Sequence, residues 1–304
     1  MMINNIRKLS LVLFSLIPLF LITGPAIPDL VITLGVIFAI IWILIIEKNY
    51  ELFNSNFVKI SLTFWLSLIL ISFFSINKTK SFEDSIIFIR FLLIPLSVYF
   101  IFFTNNKDVK RVLLVICVLV LLVSLDTLYQ FFNYSSKDGF GNDILGFKSD
   151  WYGRLTGPFG DELIPGAYIS KFGLLGYAYL VVSKKYQSRS IIQIIYLTLI
   201  LIVCFASGER MALATYLLGL FVLLFFIKNG KFIIFFSLFI GLSSIFLIYK
   251  FHPFYNDFVV VESNETHQGL KIEKIYKCNK NSNKMCSKII DIQPSFKKVI
   301  TNFS

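Results

Sequence analysis

Nine apolar runs, at roughly 9–23, 30–46, 57–76, 85–103, 112–132, 166–183, 191–206, 211–227 and 232–249, occupy most of the chain up to Tyr249. A helix needs about 20 predominantly apolar residues to cross the hydrocarbon core of a bilayer, and in lipid each segment must satisfy its own backbone polar groups. Only 15% of the 304 residues are charged, against about a quarter in soluble domains. The expected fold class is therefore all-α: a polytopic transmembrane helix bundle of about nine spans over residues 1–249, followed by a short extracytoplasmic α/β tail over 250–304. Arg7 and Lys8 before the first run resemble the start of a secretory signal. That run ends in Thr23-Gly24-Pro25-Ala26 and the next begins at Leu30, so a retained first helix is expected.

Lysine and arginine in the connections set the expected orientation. With the amino terminus inside, the inner connections carry Arg7, Lys8, Lys48, Lys59, Lys107, Lys110, Arg111, Lys184, Lys185, Arg189, Lys228 and Lys231. The outer ones carry Lys78, Lys80, Lys137, Lys148, Arg154 and Arg210, an asymmetry of twelve to six that favours a cytoplasmic amino terminus and an external tail. Topology and a lysine-rich tail account for the net charge of +11. No basic patch is interleaved with aromatics, so a nucleic-acid partner is not expected.

The tail changes composition abruptly to Asn, Lys, Glu and Ser. Alternation over Gly269–Tyr276 predicts a short β-strand. Cys278 and Cys286 flank a turn-forming Asn279–Asn283 stretch and are candidates for a disulfide in an oxidising exterior; the alternative is two unrelated free thiols. Cys117 and Cys204 fall inside apolar runs and read as packing residues. No cysteine or histidine cluster has metal-ligand spacing, so no metal and no cofactor are expected. Ser295–Phe303 reads as the start of an amphipathic helix, and the chain is expected to be a piece of a longer protein.

The segment Gly153–Gly166 is the least membrane-like stretch near the middle of the chain, with Arg154, Asp161 and Glu162 among glycines and prolines just before the sixth run. Arg210 sits in the break Ser207-Gly208-Glu209-Arg210 before the eighth. Both arginines would then lie at outer helix amino termini, where free N–H groups and the helix dipole favour an anion and a guanidinium fork suits phosphate. Together they could clamp a diphosphate. The alternative is that Arg154 pairs with Asp161 or Glu162 and Arg210 snorkels to lipid headgroups. Asp126 and Gln130 share one face of the fifth run, and Arg90 lies near the start of the fourth. An Arg90–Asp126 pair joining two helices is one reading; a polar substrate cavity is the other. His252, beside Pro253, is expected at an interface and not as a base.

The stretch from Asp126 to Gln130, then Gly141–Gly146, then Arg154–Glu162 resembles the outer loop of bacterial O-antigen ligases and polymerases. Ser207–Leu213 is similar to that family's second signature, a Ser-Gly-x-Arg break. The resemblance implies a metal-independent glycosyltransferase of the GT-C kind, lying in the bacterial inner membrane. It would move a glycan from undecaprenyl diphosphate to a lipid A–core or glycan acceptor at the periplasmic face, in a step of lipopolysaccharide biosynthesis. Arg154 and Arg210 would stabilise the leaving diphosphate. The family's outer loop also carries a histidine followed by asparagine. Here His252 precedes Pro253 and His267 precedes Gln268, so the 304-residue chain is expected to be inactive. A lipid-linked glycan transporter or flippase, and a non-catalytic assembly subunit, fit the same residues.

Overall fold

A computed structural model of the chain describes residues 2–24, 26–48, 54–103, 106–135, 139–149, 153–183, 189–227, 230–266, 269–279 and 286–289. It is mostly helical and divides into two compact units, Met1–Val115 and Ile116–Ser304, with the division falling inside one helix.

The first unit holds α1 (Met2–Phe20), α2 (Ala26–Ile41), α3 (Asn56–Ser72), α4 (Lys78–Ile87), α5 (Ile89–Phe103) and the start of α6 (Asn106–Phe132). A short turn of 3₁₀ helix, Leu21–Thr23, leads to Gly24 at φ +99° and reverses the chain after α1. Phe14 of α1 lies against Gly35 of α2, and the Ser10 hydroxyl donates to the Gly35 carbonyl at 2.9 Å. Phe14, Val36 and Ala39 form a core closed by Leu93, Val98 and Val109. Ser55 caps α3 by accepting the Val58 N–H.

The fourth apolar run does not form one helix. It breaks at Phe88, and the polar sequence Lys78–Asp84 forms a helix of its own. Arg90 therefore lies in the first turn of α5, and the expected Arg90–Asp126 pair is absent: Arg90 meets Asp29 of α2 at 2.6 Å and donates to the Thr33 hydroxyl at 3.0 Å. Asp29 and Thr33, one helical turn apart, present an acceptor pair that fits the guanidinium fork better than a single carboxylate on another helix.

The second unit contains the rest of α6, then α7 (Pro165–Val182), α8 (Ser190–Ala206), α9 (Arg210–Phe226), α10 (Lys231–Phe251) and the single turn α11 (Pro253–Asn256). α8 is its axis, packed against α7, α9 and α10. Leu197, Ile200, Leu201 and Val203 of α8 are buried, and buried tyrosines tie the neighbours to it. Tyr216 of α9 donates to the Leu197 carbonyl at 3.0 Å, and Tyr196 donates to the Gly173 carbonyl of α7 at 3.1 Å. Such bonds satisfy polar groups that have no water to turn to. Glycines at 173, 176 and 241 let the helix backbones approach; a Cβ at Gly176 would overlap the Tyr196 hydroxyl and sit 3.1 Å from the Cys117 Cα.

Among the described residues, three helices are long and apolar enough to cross a membrane, over Ala26–Ile45, Lys107–Phe132 and Lys231–Phe251. Four shorter apolar helices run over Lys8–Thr23, Asn56–Ser72, Ser190–Ala206 and Arg210–Phe226. The helical class thus agrees with expectation, but nine full spans and a GT-C arrangement do not. The reason is length. α3, α8 and α9 have 17 residues each, which at about 1.5 Å per residue falls short of a hydrocarbon core about 30 Å thick.

In the tail, β1 (Asp257–Thr266), β2 (Gly269–Asn279) and β3 (Cys286–Ile289) form an antiparallel sheet in chain order, shifted in register near Glu262 and Ser263. The expected strand at 269–276 is the start of β2, and the β2–β3 register places Cys278 opposite Cys286. The expected helix at 295–303, and His267, lie outside the described residues.

Because the Tyr196 hydroxyl fills the space beside Gly176, Gly176→Ala is expected to cost about 1–3 kcal/mol. Thermal melts in detergent should show the loss, with partial recovery when Tyr196→Phe removes the blocking oxygen.

Candidate functional site

Five helix ends of the second unit meet at one place: the carboxyl ends of α6, α8 and α10 and the amino ends of α7 and α9. The connections are stitched together by backbone. Leu155 N–H donates to the Ser207 carbonyl at 3.2 Å. Gly208, at φ +75°, passes so close to the Gly153 carbonyl that any Cβ would overlap it. Only glycine fits there.

Gln130 of α6 is fully buried and holds the Arg154 loop. Its Oε1 accepts the N–H groups of Thr156 at 3.1 Å and Gly157 at 2.9 Å. Its Nε2 donates to the Thr156 hydroxyl at 3.2 Å and the Phe147 carbonyl at 3.3 Å. All the amide's donors and acceptors are thereby engaged within the fold, which makes Gln130 a scaffold for the loop.

One turn earlier, Asp126 Oδ1 accepts the Ile144 N–H at 2.9 Å. Asp143, in the same loop as Ile144, accepts the Phe147 N–H at 2.6 Å. The two carboxyl groups face each other, and the second oxygen of each is buried with no donor to it. These acids fold the Asn142–Lys148 turn onto α6.

Arg154 and Arg210 line the same open cleft, of about 710 Å³. Its apolar wall includes Phe205, Met211, Leu213, Phe254 and Tyr255. Arg154 donates to the Leu163 carbonyl at 3.1 Å and lies 3.7 Å from Glu209 Oε1. Glu209 is therefore its acidic partner, and the expected alternatives, Asp161 and Glu162, are exposed on the turn after the 3₁₀ segment Gly157–Phe159 and do not line the cleft. Arg210, the first residue of α9, is exposed and makes no hydrogen bond or ion pair among the described residues. Arg90 belongs to the first unit with Asp29.

Glu209 was legible in sequence only as the variable position of the Ser-Gly-x-Arg break. In the structure its Oε2 accepts the Ala167 N–H at 2.7 Å, in the first turn of α7. Gly166 makes room for it, since a Cβ there would lie 2.7 Å from Oε2. The α7 amino terminus, read from sequence as an anion site, is thus occupied by a carboxylate of the chain itself. The signal that could have found it is an acid in the cap position immediately before an arginine.

His252 caps α10 and stacks on Phe131 with ring centroids 4.2 Å apart. Its Nδ1 accepts the Phe254 N–H at 3.2 Å, and the ring also hydrogen-bonds the Phe131 backbone. Burial lowers its pKa, an effect the Phe131 hydrogen bond partly offsets. His252 thus packs the end of α10 against α6. Burial pushes the Tyr255 hydroxyl, in the cleft wall, up to about 12, keeping it a donor.

No known protein family, no curated protein and no solved structure matches the chain.

Two outcomes follow from these contacts. The Asp143→Asn amide keeps an oxygen for the Phe147 N–H and brings an N–H to the orphan Asp126 oxygen. It is expected to raise stability by roughly 1–2 kcal/mol; an unchanged or lower melting temperature would contradict the facing carboxyl groups. For His252, the folded state takes up a proton less readily than the unfolded chain, whose histidine titrates near 6.5. Its contribution is complete above that pH and is lost as the pH falls toward the depressed folded value. Melting temperature should drop as the pH falls below about 6.5, and His252→Phe should flatten the drop.

Proposed function

We propose that the second unit binds a lipid-linked diphosphate, as the donor-binding part of an O-antigen ligase or polymerase acting at the periplasmic face of the bacterial inner membrane. The observation that carries this reading is the pairing of Arg154 and Arg210 in one cleft with an apolar wall. Such a cleft suits an amphiphile: a diphosphate on the guanidinium groups and an isoprenoid chain against Phe205, Met211 and Leu213. In a full transferase, the same charges would stabilise the phosphate that leaves as the glycan moves to a lipid A–core or glycan hydroxyl.

A base for the acceptor hydroxyl does not emerge from His252. Its ring is stacked on Phe131 and hydrogen-bonded to the Phe254 N–H and the Phe131 backbone, so the chain is proposed to bind donor without completing transfer. A glycan transporter would use the cleft equally well for binding; an assembly subunit would not need it.

Arg210 gives the cleanest test, because its side chain makes no hydrogen bond or ion pair among the described residues. Arg210→Ala is expected to weaken binding of farnesyl diphosphate by about 1.5–3 kcal/mol, tenfold or more, with an unchanged melting temperature. Unaltered affinity would remove the diphosphate reading. Glycan transfer and lipid flipping, assayed in a longer protein containing the His–Asn segment, then separate a transferase from a transporter.

A further inference from the structure

Glu209 stands between the two arginines in sequence and beside one of them in space, and its contacts are unequal. The carboxylate is anchored to α7 through Ala167 at 2.7 Å, whereas its nearest approach to Arg154 is 3.7 Å, outside hydrogen-bond range. Arg154 has its own anchor, the Leu163 carbonyl. The ion pair can therefore open without either side chain losing the bond that positions it. Both groups line the cleft, with Arg154 39% exposed and Glu209 18%.

We propose that Glu209 is an internal counter-anion that competes with the ligand's phosphate for Arg154 and so sets how tightly the cleft holds an anionic headgroup. The proposal rests on the diphosphate reading of the same cleft. While Glu209 faces Arg154, the uncompensated cation of the cleft is Arg210. An incoming phosphoryl group reaches Arg154 by displacing the 3.7 Å contact, and its oxygens then lie beside a carboxylate still fixed to α7. That repulsion tempers affinity. It favours headgroups with enough charge to engage both arginines at once, a diphosphate over a monophosphate ester.

Glu209→Gln isolates the effect, because the amide oxygen can still accept the Ala167 N–H while the negative charge is gone. At low salt it is expected to raise affinity for farnesyl diphosphate about five- to tenfold, with a smaller gain for farnesyl monophosphate. The gain should shrink at about 0.5 M salt, as screening weakens charge–charge terms. Unchanged or weaker binding by a normally melting Glu209→Gln protein overturns the proposal.

Salt titration of the wild type tests it without that variant. Arg210→Ala should remove most of the salt dependence of binding, and Arg154→Ala should remove much less. Equal losses from the two arginine variants would mean that Arg154 is not neutralised, and would also overturn it. If instead Arg210→Ala leaves farnesyl diphosphate affinity untouched, it is the diphosphate reading that fails. A rise in affinity on Glu209→Gln with no preference between the two probes would retain the counter-anion and refute its role in selecting the diphosphate.

Discussion

The geometry of the cleft depends on one buried amide. Gln130 projects from α6 into a place without water, and its four hydrogen-bonding positions hold Thr156, Gly157 and Phe147. An unsatisfied amide in such a place costs far more than a bonded one gains, so the loop has essentially one way to sit. Once Thr156 is fixed, Leu155 meets Ser207 and Gly153 meets Gly208. Arg154, between them, is placed against the start of α9. The cleft is thus assembled from backbone held by a side chain some twenty-odd residues away, and its arginines are mounted on a rigid seam.

The same seam is held by further side chains at this end of the bundle. Asp126 and Asp143 fold one turn onto α6, Glu209 covers the amino end of α7, and His252 ties α10 to Phe131. Arg210 differs from all of these, exposed at the first position of its helix. Most of the groups around it are tied to the backbone of the seam, while Arg210 makes no hydrogen bond or ion pair among the described residues.

Much of this was legible in the amino-acid sequence, and the exceptions have physical causes. Every apolar run became helical, because hydrophobic stretches of that length have few other ways to satisfy their backbone. The helix lengths were not legible: caps and breaks such as Phe88 depend on where polar residues find partners, and the run over 85–103 hides one. Arg154 and Arg210 stood out because charge is rare in such a chain, and they do share a cleft. The partners of the arginines depend on a tertiary choice that the sequence does not display. Arg90 takes Asp29 and Thr33 in place of Asp126, and Arg154 takes Glu209 in place of Asp161 or Glu162. Spacing along one helix names candidates for a face; it does not say which other helix that face will meet.

The break before α9 has a consequence for how this chain tolerates insertions. Residue 208 must lack a side chain, residue 209 must reach back to Ala167, and residue 210 opens the helix into the cleft. Three consecutive positions thus have three incompatible duties. Lengthening the break by a single residue before Glu209 would put the carboxylate where the guanidinium now stands and carry the guanidinium one place further along the helix. The loop between α6 and α7 is different, since its exposed turn at Asp161 and Glu162 is clear of these contacts. Length variation is therefore tolerable on one side of the cleft and ruinous on the other.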